Sequence, residues 1–292
     1  MRGMFAESMT IGDAIAWGTS LLDESDSIPA ARSRSDAILL LRHVLGIPHA
    51  EMYAYRERPL TALQTEAFNA HLQQRLHGMP VQYITGEQEF FGLPFHVTRE
   101  VLIPRPETEH LVEAAIARLK DLPVARIADV GTGSGAIAVA LAHSLSTAEI
   151  VALDISLAAL AVAAENAKHN EVRARIRFLE SDLLGAVANE HFDAVVSNPP
   201  YVADSERKSL PAEVREYEPA RALFAGPTGL EAYRRLIPDA LPLLRSGGWL
   251  MMEIGQGQRD AVRALLQDAD WDEVEFAPDL QGIPRVAIAR RR

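Results

Sequence analysis

The sequence predicts an α/β fold, in which a mostly parallel sheet with an antiparallel last strand is joined to a small N-terminal helical bundle. This prediction rests on two observations. From residue 125 onward, short apolar runs alternate with longer helix-like runs, which is typical of a parallel sheet covered by helices. Residues 1–78 instead show helical spacing throughout. The length of 292 residues is comfortable for two domains.

The N-terminal region, residues 1–79, is predicted to be a compact bundle of helices. Apolar residues recur at helical spacing over residues 11–22 and 30–45. Thr61 is placed to cap a further helix that ends at Gly78, because hydroxyl side chains favour the N-cap and glycine favours the position after the C-cap. The bundle carries no catalytic signature, so its expected role is to support the larger domain or to hold a partner.

A linker is predicted over residues 80–100, followed by the α/β domain over residues 101–292. In the linker, Gly86, Gly92 and Pro94 interrupt a run of aromatic and branched residues. Turn residues between such runs are typical of a β-hairpin. The linker is therefore expected to be a hairpin that connects the two domains.

The α/β domain is predicted to place its polar loops along one edge of the sheet. Only residues 278–284 separate the last two predicted strands, so the final strand is expected to run antiparallel. Ligands of open α/β sheets bind beyond the carboxyl ends of the strands. The predicted strands are 126–130, 149–155, 176–181, 192–197, 247–254, 273–278 and 284–290, and the predicted helices are 134–143, 157–169, 229–242 and 257–268.

Composition excludes several kinds of chemistry. The chain has no cysteine, so disulfides, thiolate catalysis and cysteine-ligated zinc are excluded. None of its 9 histidines forms an i,i+4 pair, and no metal site is expected. The formal charge of −11 is evidence against a main role in binding nucleic acid. No secretion signal is visible in residues 1–20 and no apolar run is long enough to span a membrane, so a cytoplasmic location is expected.

A glycine-rich turn follows the first strand of the α/β domain. The sequence Gly131-Thr132-Gly133-Ser134-Gly135 lies between an apolar strand and an apolar helix. Glycines allow a ligand to approach the main chain, and the helix N-terminus beyond them favours an anion. Asp154 ends the next strand about 20 residues later, where an acidic side chain usually binds the ribose hydroxyls of an adenosine cofactor.

These features leave two cofactors open. Gly131, Gly133 and Ala136 also fit the fingerprint of dinucleotide-binding proteins. Asp129, inside the first strand, would repel a pyrophosphate but attract an ammonium group. Gly135 adds a third glycine, which gives a compact loop for a methionine tail. The residues therefore favour S-adenosylmethionine over a nicotinamide dinucleotide.

The tetrapeptide Asn198-Pro199-Pro200-Tyr201 directly follows a predicted apolar strand. Proline has no N–H group, so the main-chain carbonyls here remain free to accept hydrogen bonds from a ligand. The Asn carboxamide adds another acceptor, and the Tyr ring offers a flat apolar face. A corner of this kind can hold a planar NH2-bearing group, although an isolated Asn-Pro pair is more often an ordinary turn.

Taken together, these motifs resemble the class I S-adenosylmethionine-dependent methyltransferases that act on planar nitrogen. More narrowly, the chain resembles the HemK family of peptide chain release factor glutamine-N5 methyltransferases over nearly its whole length. The further motifs that carry this resemblance are Tyr83-Ile84-Thr85-Gly86, Ile103-Pro104-Arg105-Pro106-Glu107-Thr108-Glu109, Glu218-Pro219 with Ala222-Leu223, and Gly282-Ile283-Pro284-Arg285.

The resemblance implies a Rossmann-like class I methyltransferase sheet, S-adenosyl-L-methionine as cofactor with S-adenosyl-L-homocysteine as product, and the glutamine of the Gly-Gly-Gln motif of class I release factors as substrate. It assigns catalysis to Asn198, Pro199 and Tyr201, and gives Glu218 and Glu253 weaker claims for which a structural role is favoured. The implied cofactor-binding residues are Asp129, Gly131, Thr132, Gly133, Gly135, Asp154, Ile155, Asp182, Leu183 and Asn198, and the implied substrate-binding residues are Asn198, Pro199, Pro200, Tyr201, Arg105, Pro106 and Glu107.

Three alternatives remain open from the sequence. A sister family methylates glutamine in a large-subunit ribosomal protein, but its segment after the Pro-Arg pair differs from residues 103–109. The corner motif alone does not separate this chain from adenine-N6 nucleic-acid methyltransferases. A non-catalytic binding module would be expected to lose the corner, which is intact here. A monomer without direct nucleic-acid or membrane partners is expected.

Overall fold

The computed structural model describes residues 9–25, 28–267 and 270–292, and these form two compact units. One unit contains the described residues up to Gly86 together with the segment Pro211–Tyr217. The other contains Glu87–Leu210 and Glu218–Arg292. The first unit thus extends past residue 79, and its later segment has no counterpart in the sequence-based boundaries. The predicted bundle also included residues 1–8 and 26–27, which lie outside the described residues.

The first unit is helical, as expected. Its helices are α1 (Ile11–Asp23), α2 (Ala30–Leu45), α3 (His49–Ala54), α4 (Ala62–Leu76) and α5 (Val81–Thr85), joined by a later helix, Ala212–Tyr217. Thr10 and Thr61 both form capping boxes, in which the hydroxyl accepts from the backbone three residues on and that residue's side chain accepts in return. Gly78 follows the end of α4 at φ +90°, as a left-handed helix stop.

A buried arginine ties the later segment to this helical unit. Arg75 is fully buried, and its guanidinium pairs with Asp36 at 2.8 Å and with Glu213 at 2.9 Å. Tyr217 donates a hydrogen bond to the carbonyl of His77 at 2.6 Å. Because a buried charge is costly without partners, these contacts explain why the segment belongs to the helical unit.

The predicted hairpin over residues 80–98 is only partly correct. Residues Val81–Thr85 form helix α5, and the hairpin itself is limited to β1 (Glu87–Phe90) and β2 (Leu93–His96). Pro80 precedes the first turn of α5 and Gly86 ends it at φ +75°. Proline at the start of a helix and glycine at its end favour a short helix over Val81–Thr85. The apolar residues between them read as part of a strand, so the sequence pattern did not reveal this helix.

The catalytic unit is built on a seven-stranded sheet. Its strands are β3 (Arg126–Val130), β4 (Glu149–Asp154), β5 (Ile176–Glu180), β6 (Phe192–Ser197), β9 (Leu244–Glu253), β10 (Trp271–Pro278) and β11 (Pro284–Arg291), and β7 (Val202–Ala203) and β8 (Phe224–Gly226) form a separate pair. The strand order in the sheet is β10-β11-β9-β6-β3-β4-β5. The five strands from β9 to β5 are mutually parallel, and β11 is antiparallel to both β9 and β10, which confirms the predicted topology.

Helices cover both faces of this sheet. Side chains of β3 alternate between two apolar clusters, with Ile127 in one and Ala128 and Val130 in the other. A strand that is buried on both faces reads as a continuous apolar run, which explains the sequence pattern. The covering helices are α6 (Glu109–Leu119), α7 (Ala136–Ser144), α8 (Leu157–His169), α11 (Glu231–Ala240) and α12 (Arg259–Leu265). Between β7 and β8 the chain also forms two short helices, α9 (Ala212–Tyr217), which belongs to the helical unit, and α10 (Ala220–Leu223).

The four predicted helices of the sheet region match α7, α8, α11 and α12, although the prediction for the last ran to residue 268, which lies outside the described residues. Among the described residues, no helix has both the length and the hydropathy needed to cross a bilayer.

Candidate functional site

The glycine-rich loop turns sharply at the carboxyl end of β3. Gly131, Gly133 and Gly135 have φ angles of +71°, +55° and +81°, which residues with a Cβ atom rarely adopt. The N–H groups of Gly131 and Thr132 both donate to the carbonyl of Leu153, at 2.8 and 2.9 Å. The loop is therefore fixed to the end of the neighbouring strand β4.

Asp129 is fully buried beneath this loop. Its Oδ2 accepts from the hydroxyl of Thr132 at 2.6 Å and from the N–H of Ala138 at 3.1 Å. Its buried Oδ1 has no hydrogen-bond partner among the residues that the structure describes. Burial raises the pKa of this carboxyl to about 7. A buried carboxylate oxygen without a partner is costly, so the residue suits a cationic ligand group such as an ammonium.

Asp154 lies at the end of β4 and anchors the same loop. Its Oδ2 accepts from the N–H of Gly133 and its Oδ1 accepts from the N–H of Ser156, each at 2.9 Å. The next residue, Ile155, keeps 57% of its surface exposed although it is apolar. An acidic group beside an exposed apolar side chain is the arrangement expected for a ribose and its attached base.

The turn after β5 carries Asp182 and Leu183. Asp182 Oδ2 accepts a hydrogen bond from Arg235 Nη2 at 2.7 Å, and this hydrogen bond raises the pKa of the arginine. Leu183 has a left-handed φ of +49°, which is unusual for a branched side chain and marks a constrained turn. Arg235, on α11, was not identified from the sequence.

These loops surround a cavity of about 420 Å³ at the carboxyl edge of the sheet. Neither Asp129 nor Gly135 lines it. A Cβ on Gly135 would meet the Cβ of Ala163 at 3.0 Å, so this glycine permits close packing of α7 on α8. The predicted residues that do line the cavity are Gly131, Thr132, Gly133, Asp154, Ile155, Asp182, Leu183, Asn198 and Pro200.

The Asn-Pro-Pro-Tyr corner follows β6 and borders this cavity. Asn198 Nδ2 donates to the Thr108 hydroxyl at 3.0 Å, and that hydroxyl donates to Glu253 Oε2 at 2.5 Å. The hydroxyl of Tyr201 donates to the other carboxylate oxygen, Glu253 Oε1, at 3.3 Å. Pro199 and Tyr201 do not line the cavity, whereas Thr108 does.

Glu253 sits at the end of β9 and is 2% exposed. Burial raises its pKa to about 7, and burial also raises the pKa of Tyr201 above its ordinary value. The hydrogen bonds from Thr108 and Tyr201 act in the opposite direction on the glutamate, because they stabilise the carboxylate.

The segment from Ile103 to Glu109 is held by a second buried carboxylate. Glu218 accepts from Arg105 Nη2 at 2.5 Å and from the N–H of Ile103 at 3.4 Å. Pro106 and Glu107 begin a short 3₁₀ turn and are exposed. None of the three residues assigned to the substrate, Arg105, Pro106 and Glu107, lines the cavity.

Sequence reasoning missed part of the site. Thr108 lies inside a motif that it did identify, but nothing in the local sequence singles out its hydroxyl. The segment between β7 and α11 contributes further lining residues, and the sequence signal noted there was the motif Glu218-Pro219 with Ala222-Leu223. These lining residues are Pro219, Arg221, Ala222, Phe224 and Ala225. Within residues 9–25, 28–267 and 270–292, no group of three or more His, Asp or Glu side chains could hold a metal ion.

Two family models match the chain. Residues 13–86 match the PrmC N-terminal domain, and residues 108–214 match the methyltransferase small domain. The first match falls on the helical unit, and the second covers the glycine loop and the Asn-Pro-Pro-Tyr corner.

Similar curated proteins extend along nearly the whole chain. The release factor glutamine methyltransferase of Koribacter versatilis is 41% identical over 273 residues, which cover 93% of this chain and 96% of that protein. The release factor glutamine methyltransferase of Moorella thermoacetica is 44% identical over 262 residues, covering 89% and 92% of the two chains.

Solved structures show the same fold at lower identity. The catalytic domain of hMettl16, in complex with an RNA hairpin, has a TM-score of 0.57 at 20% identity and covers 76% of this chain and 81% of that chain. A methyltransferase from Pyrococcus furiosus has a TM-score of 0.52 at 15% identity and covers 76% and 98%. At this identity the likeness concerns the fold alone.

Proposed function

The chain belongs to the release factor glutamine methyltransferase family, and from that membership we propose that it methylates the side-chain amide nitrogen, N5, of the glutamine in the Gly-Gly-Gln motif of class I release factors. The observation that supports this most directly is that Asn198 and Pro200 border the same cavity as Gly131, Gly133 and Asp154. A corner suited to a planar amide therefore adjoins a pocket suited to an adenosine cofactor.

The pocket residues fit S-adenosylmethionine, which when bound supplies a methyl group on a positively charged sulfur. Asp129, with its unpartnered buried oxygen, would bind the ammonium group, directly or through water. Asp154 would bind the ribose hydroxyls, with Ile155 beside them. Asp182 and Leu183 would flank the adenine.

The corner would act on the substrate glutamine. An amide nitrogen is a weak nucleophile, because its lone pair is delocalised into the carbonyl. Asn198 Oδ1 and the carbonyl of Pro199 would accept its two hydrogens, Pro200 would form the adjoining wall, and Tyr201 would pack on the amide plane. No strong base is needed before transfer, since the nitrogen becomes acidic once it is alkylated. Positioning is therefore the main catalytic effect, and it can supply roughly 7–11 kcal/mol.

The substrate protein would be held outside this corner. Arg105, Pro106 and Glu107 form an ordered segment next to Thr108, and the first of them is fixed by Glu218. We assign this segment to contacts with the loop that carries the glutamine, and the N-terminal helical unit to binding the rest of the release factor. The protein is proposed to act as a monomer in the cytoplasm.

The test is methyl transfer measured by mass spectrometry. The protein is incubated with S-adenosylmethionine and a class I release factor, and one added methyl is expected on the Gly-Gly-Gln glutamine. Asn198→Ala should lower turnover about 10²–10³-fold with little change in cofactor affinity, as for loss of one preorganised polar contact.

Parallel reactions contain DNA, RNA or a ribosomal protein mixture. A release factor in which alanine replaces the motif glutamine is the negative control. Methyl transfer to nucleic acid with none to the release factor would overturn the proposal, as would full activity of Asn198→Ala.

A further inference from the structure

We propose that Glu253, acting through the Thr108 hydroxyl, is a positioning residue that sets which end of the Asn198 carboxamide faces the substrate. The inference rests on the proposed function and deepens it. In it, Glu253 and Thr108 do not touch the reacting atoms, but they determine the orientation of Asn198, which does. The three side chains come from different elements, namely the end of β9, the 3₁₀ turn before α6 and the corner after β6.

The direction of each hydrogen bond follows from the carboxylate. An ionised glutamate only accepts, so both Thr108 and Tyr201 must donate to Glu253. The single proton of Thr108 is then in use, and the hydroxyl can bind Asn198 only by accepting from its NH2 group. The carboxamide oxygen of Asn198 is therefore left as the end available to a ligand.

This direction matters for an amide substrate. The glutamine side chain presents two N–H hydrogens, and these require acceptors. With the Asn198 carboxamide reversed, its own NH2 group would face the NH2 group of the substrate, and two donors cannot bond to each other. The charge on Glu253 thereby ensures that the Asn198 carboxamide presents its accepting oxygen to the substrate, although Glu253 does not contact the substrate.

The carboxylate is rigidly placed. The Tyr233 hydroxyl lies within hydrogen-bond distance of two acceptors, the main-chain carbonyl oxygen of Glu253 at 3.1 Å and Gln258 Oε1 at 3.2 Å. Gln258 also donates to the carbonyl of Tyr201 at 2.9 Å and accepts from the N–H of Gly255 at 3.0 Å. The end of β9 and the corner after β6 are thus linked twice, once through the Glu253 carboxylate and once through the Gln258 amide.

The charged surroundings of Glu253 give the proposal a pH signature. Glu107 raises its pKa and Arg285 lowers it, while Thr108 and Tyr201 face its oxygens and Tyr233 lies behind. Protonation turns one oxygen into a donor and removes the requirement that Thr108 accept from Asn198. Turnover should therefore fall as pH drops through about 7.

The first test uses Thr108→Val, which keeps the shape of the side chain and removes the hydroxyl. With cofactor saturating, kcat on the release factor should fall about 10–100-fold, the usual effect of losing an outer partner of a functional group. The KM for the release factor should change much less. Thr108→Ser restores the hydroxyl and should recover most of the activity. Thr147→Val makes the same hydroxyl-to-methyl change at an exposed position before β4, at the edge of the sheet opposite the cavity. It is the matched control and should leave kcat unaltered.

The second test separates positioning from a structural role. In an Asn198→Ala background the hydroxyl has nothing to orient, so adding Thr108→Val should cost little further activity. A structural role would give the full 10–100-fold loss in both backgrounds. Glu253→Gln has one acceptor oxygen and one NH2 group in place of two acceptors, so it no longer forces Thr108 to donate to it, and it does not titrate. With cofactor saturating, its kcat should therefore be low and independent of pH between 5.5 and 8.

The outcomes distinguish this inference from the proposed function. If Thr108→Val and Glu253→Gln both keep kcat within about threefold of the wild type while Asn198→Ala is inactive, the inference is overturned and the function stands. If the wild type leaves the release factor unmethylated, the proposed function fails. Circular dichroism and the Kd for S-adenosylmethionine establish that each variant is folded, and Glu253→Gln decides the matter should Thr108→Val unfold.

Discussion

Two glycines in the same loop have different reasons for being glycine. Gly131 and Gly135 both adopt left-handed φ angles, so alanine at either position carries a similar backbone strain of about 1–2 kcal/mol. Their surroundings differ. A Cβ on Gly131 would meet no atom of the described residues within 4 Å and would project into the cavity that this residue lines. A Cβ on Gly135 would press on Ala163.

The two alanine variants should therefore fail in different ways. Gly131→Ala should weaken cofactor binding with only the loss of stability that strain imposes. Gly135→Ala should lose a further 1–3 kcal/mol of unfolding free energy, roughly the cost of overpacking, and should change the cofactor Kd less. Urea unfolding and calorimetric titration of both variants give the comparison. Equal losses of stability would refute the distinct role of Gly135.

At the residue scale, the residues that the sequence singled out and that line the cavity are positioned by local structure. The glycine loop, Asp154 and the Asn-Pro-Pro-Tyr corner are each contiguous with the strand that positions them. The bond between Thr108 and Glu253 joins residues 145 positions apart, and the pairing of Asp182 with Arg235 joins residues 53 apart. No local pattern encodes such pairs, so Glu253 was expected to be structural and Thr108 and Arg235 were missed.

At the scale of elements, one buried side chain holds three pieces of the catalytic unit together. Asn166 on α8 is 1% exposed. It accepts from the N–H of His96 at 2.7 Å and donates to the carbonyls of His96 and Ser134 at 2.9 and 2.8 Å. It thereby connects the β1–β2 hairpin and the glycine loop to the same helix.

Removing this amide should destabilise the catalytic unit and loosen the loop. Asn166→Ala leaves up to three backbone groups without partners, which costs about 2–4 kcal/mol of unfolding free energy. Asn170, one turn later and half-buried, also donates to a hairpin carbonyl, that of Pro94 at 2.9 Å. Asn170→Ala is the matched control and should cost less than about 1 kcal/mol. The measurement is urea unfolding. Similar losses of unfolding free energy for both variants would contradict the role of Asn166 in connecting the hairpin and the glycine loop to α8.

The elements that the sequence predicted are those with a long, regular pattern. The alternation of strands and helices after residue 125 and the capped helices α1, α2 and α4 all have one. Helix α5 has five residues and was hidden within a presumed hairpin. The segment from β7 to β8 contains only short helices and turns, so its placement depends on tertiary contacts such as the cation–π contact of Arg207 with Phe224, at 3.7 Å.

At the scale of the whole molecule, the native state holds two buried acids with raised pKa values. Asp129 and Glu253 both titrate at about 7 in the fold, against reference values of 3.8 and 4.5. Below the reference values each group is protonated in both states and the fold bears no penalty. As pH rises toward 7, the unfolded chain releases these protons first, and the fold loses stability.

For Glu253 this loss should amount to roughly 3 kcal/mol between about pH 4.5 and pH 7, since each unit of pKa difference is worth about 1.4 kcal/mol. Many other carboxylates also titrate on the acid side, so the total stability curve does not isolate the effect. The difference in unfolding free energy between the wild type and Glu253→Gln does, because all other groups cancel.

We therefore expect the wild type to lose stability relative to Glu253→Gln as pH rises from 5 to 7, and the difference to become constant above that range. Asp129→Asn should behave in the same way. Glu165→Gln makes the same substitution at an exposed position on α8 and is the control with which the result for Glu253→Gln is compared. The measurement is urea unfolding at pH 5, 6, 7 and 8. A difference that is flat for Glu253→Gln, or that grows in favour of the wild type with rising pH, would mean that this carboxylate is ionised throughout and that its hydrogen bonds outweigh its burial.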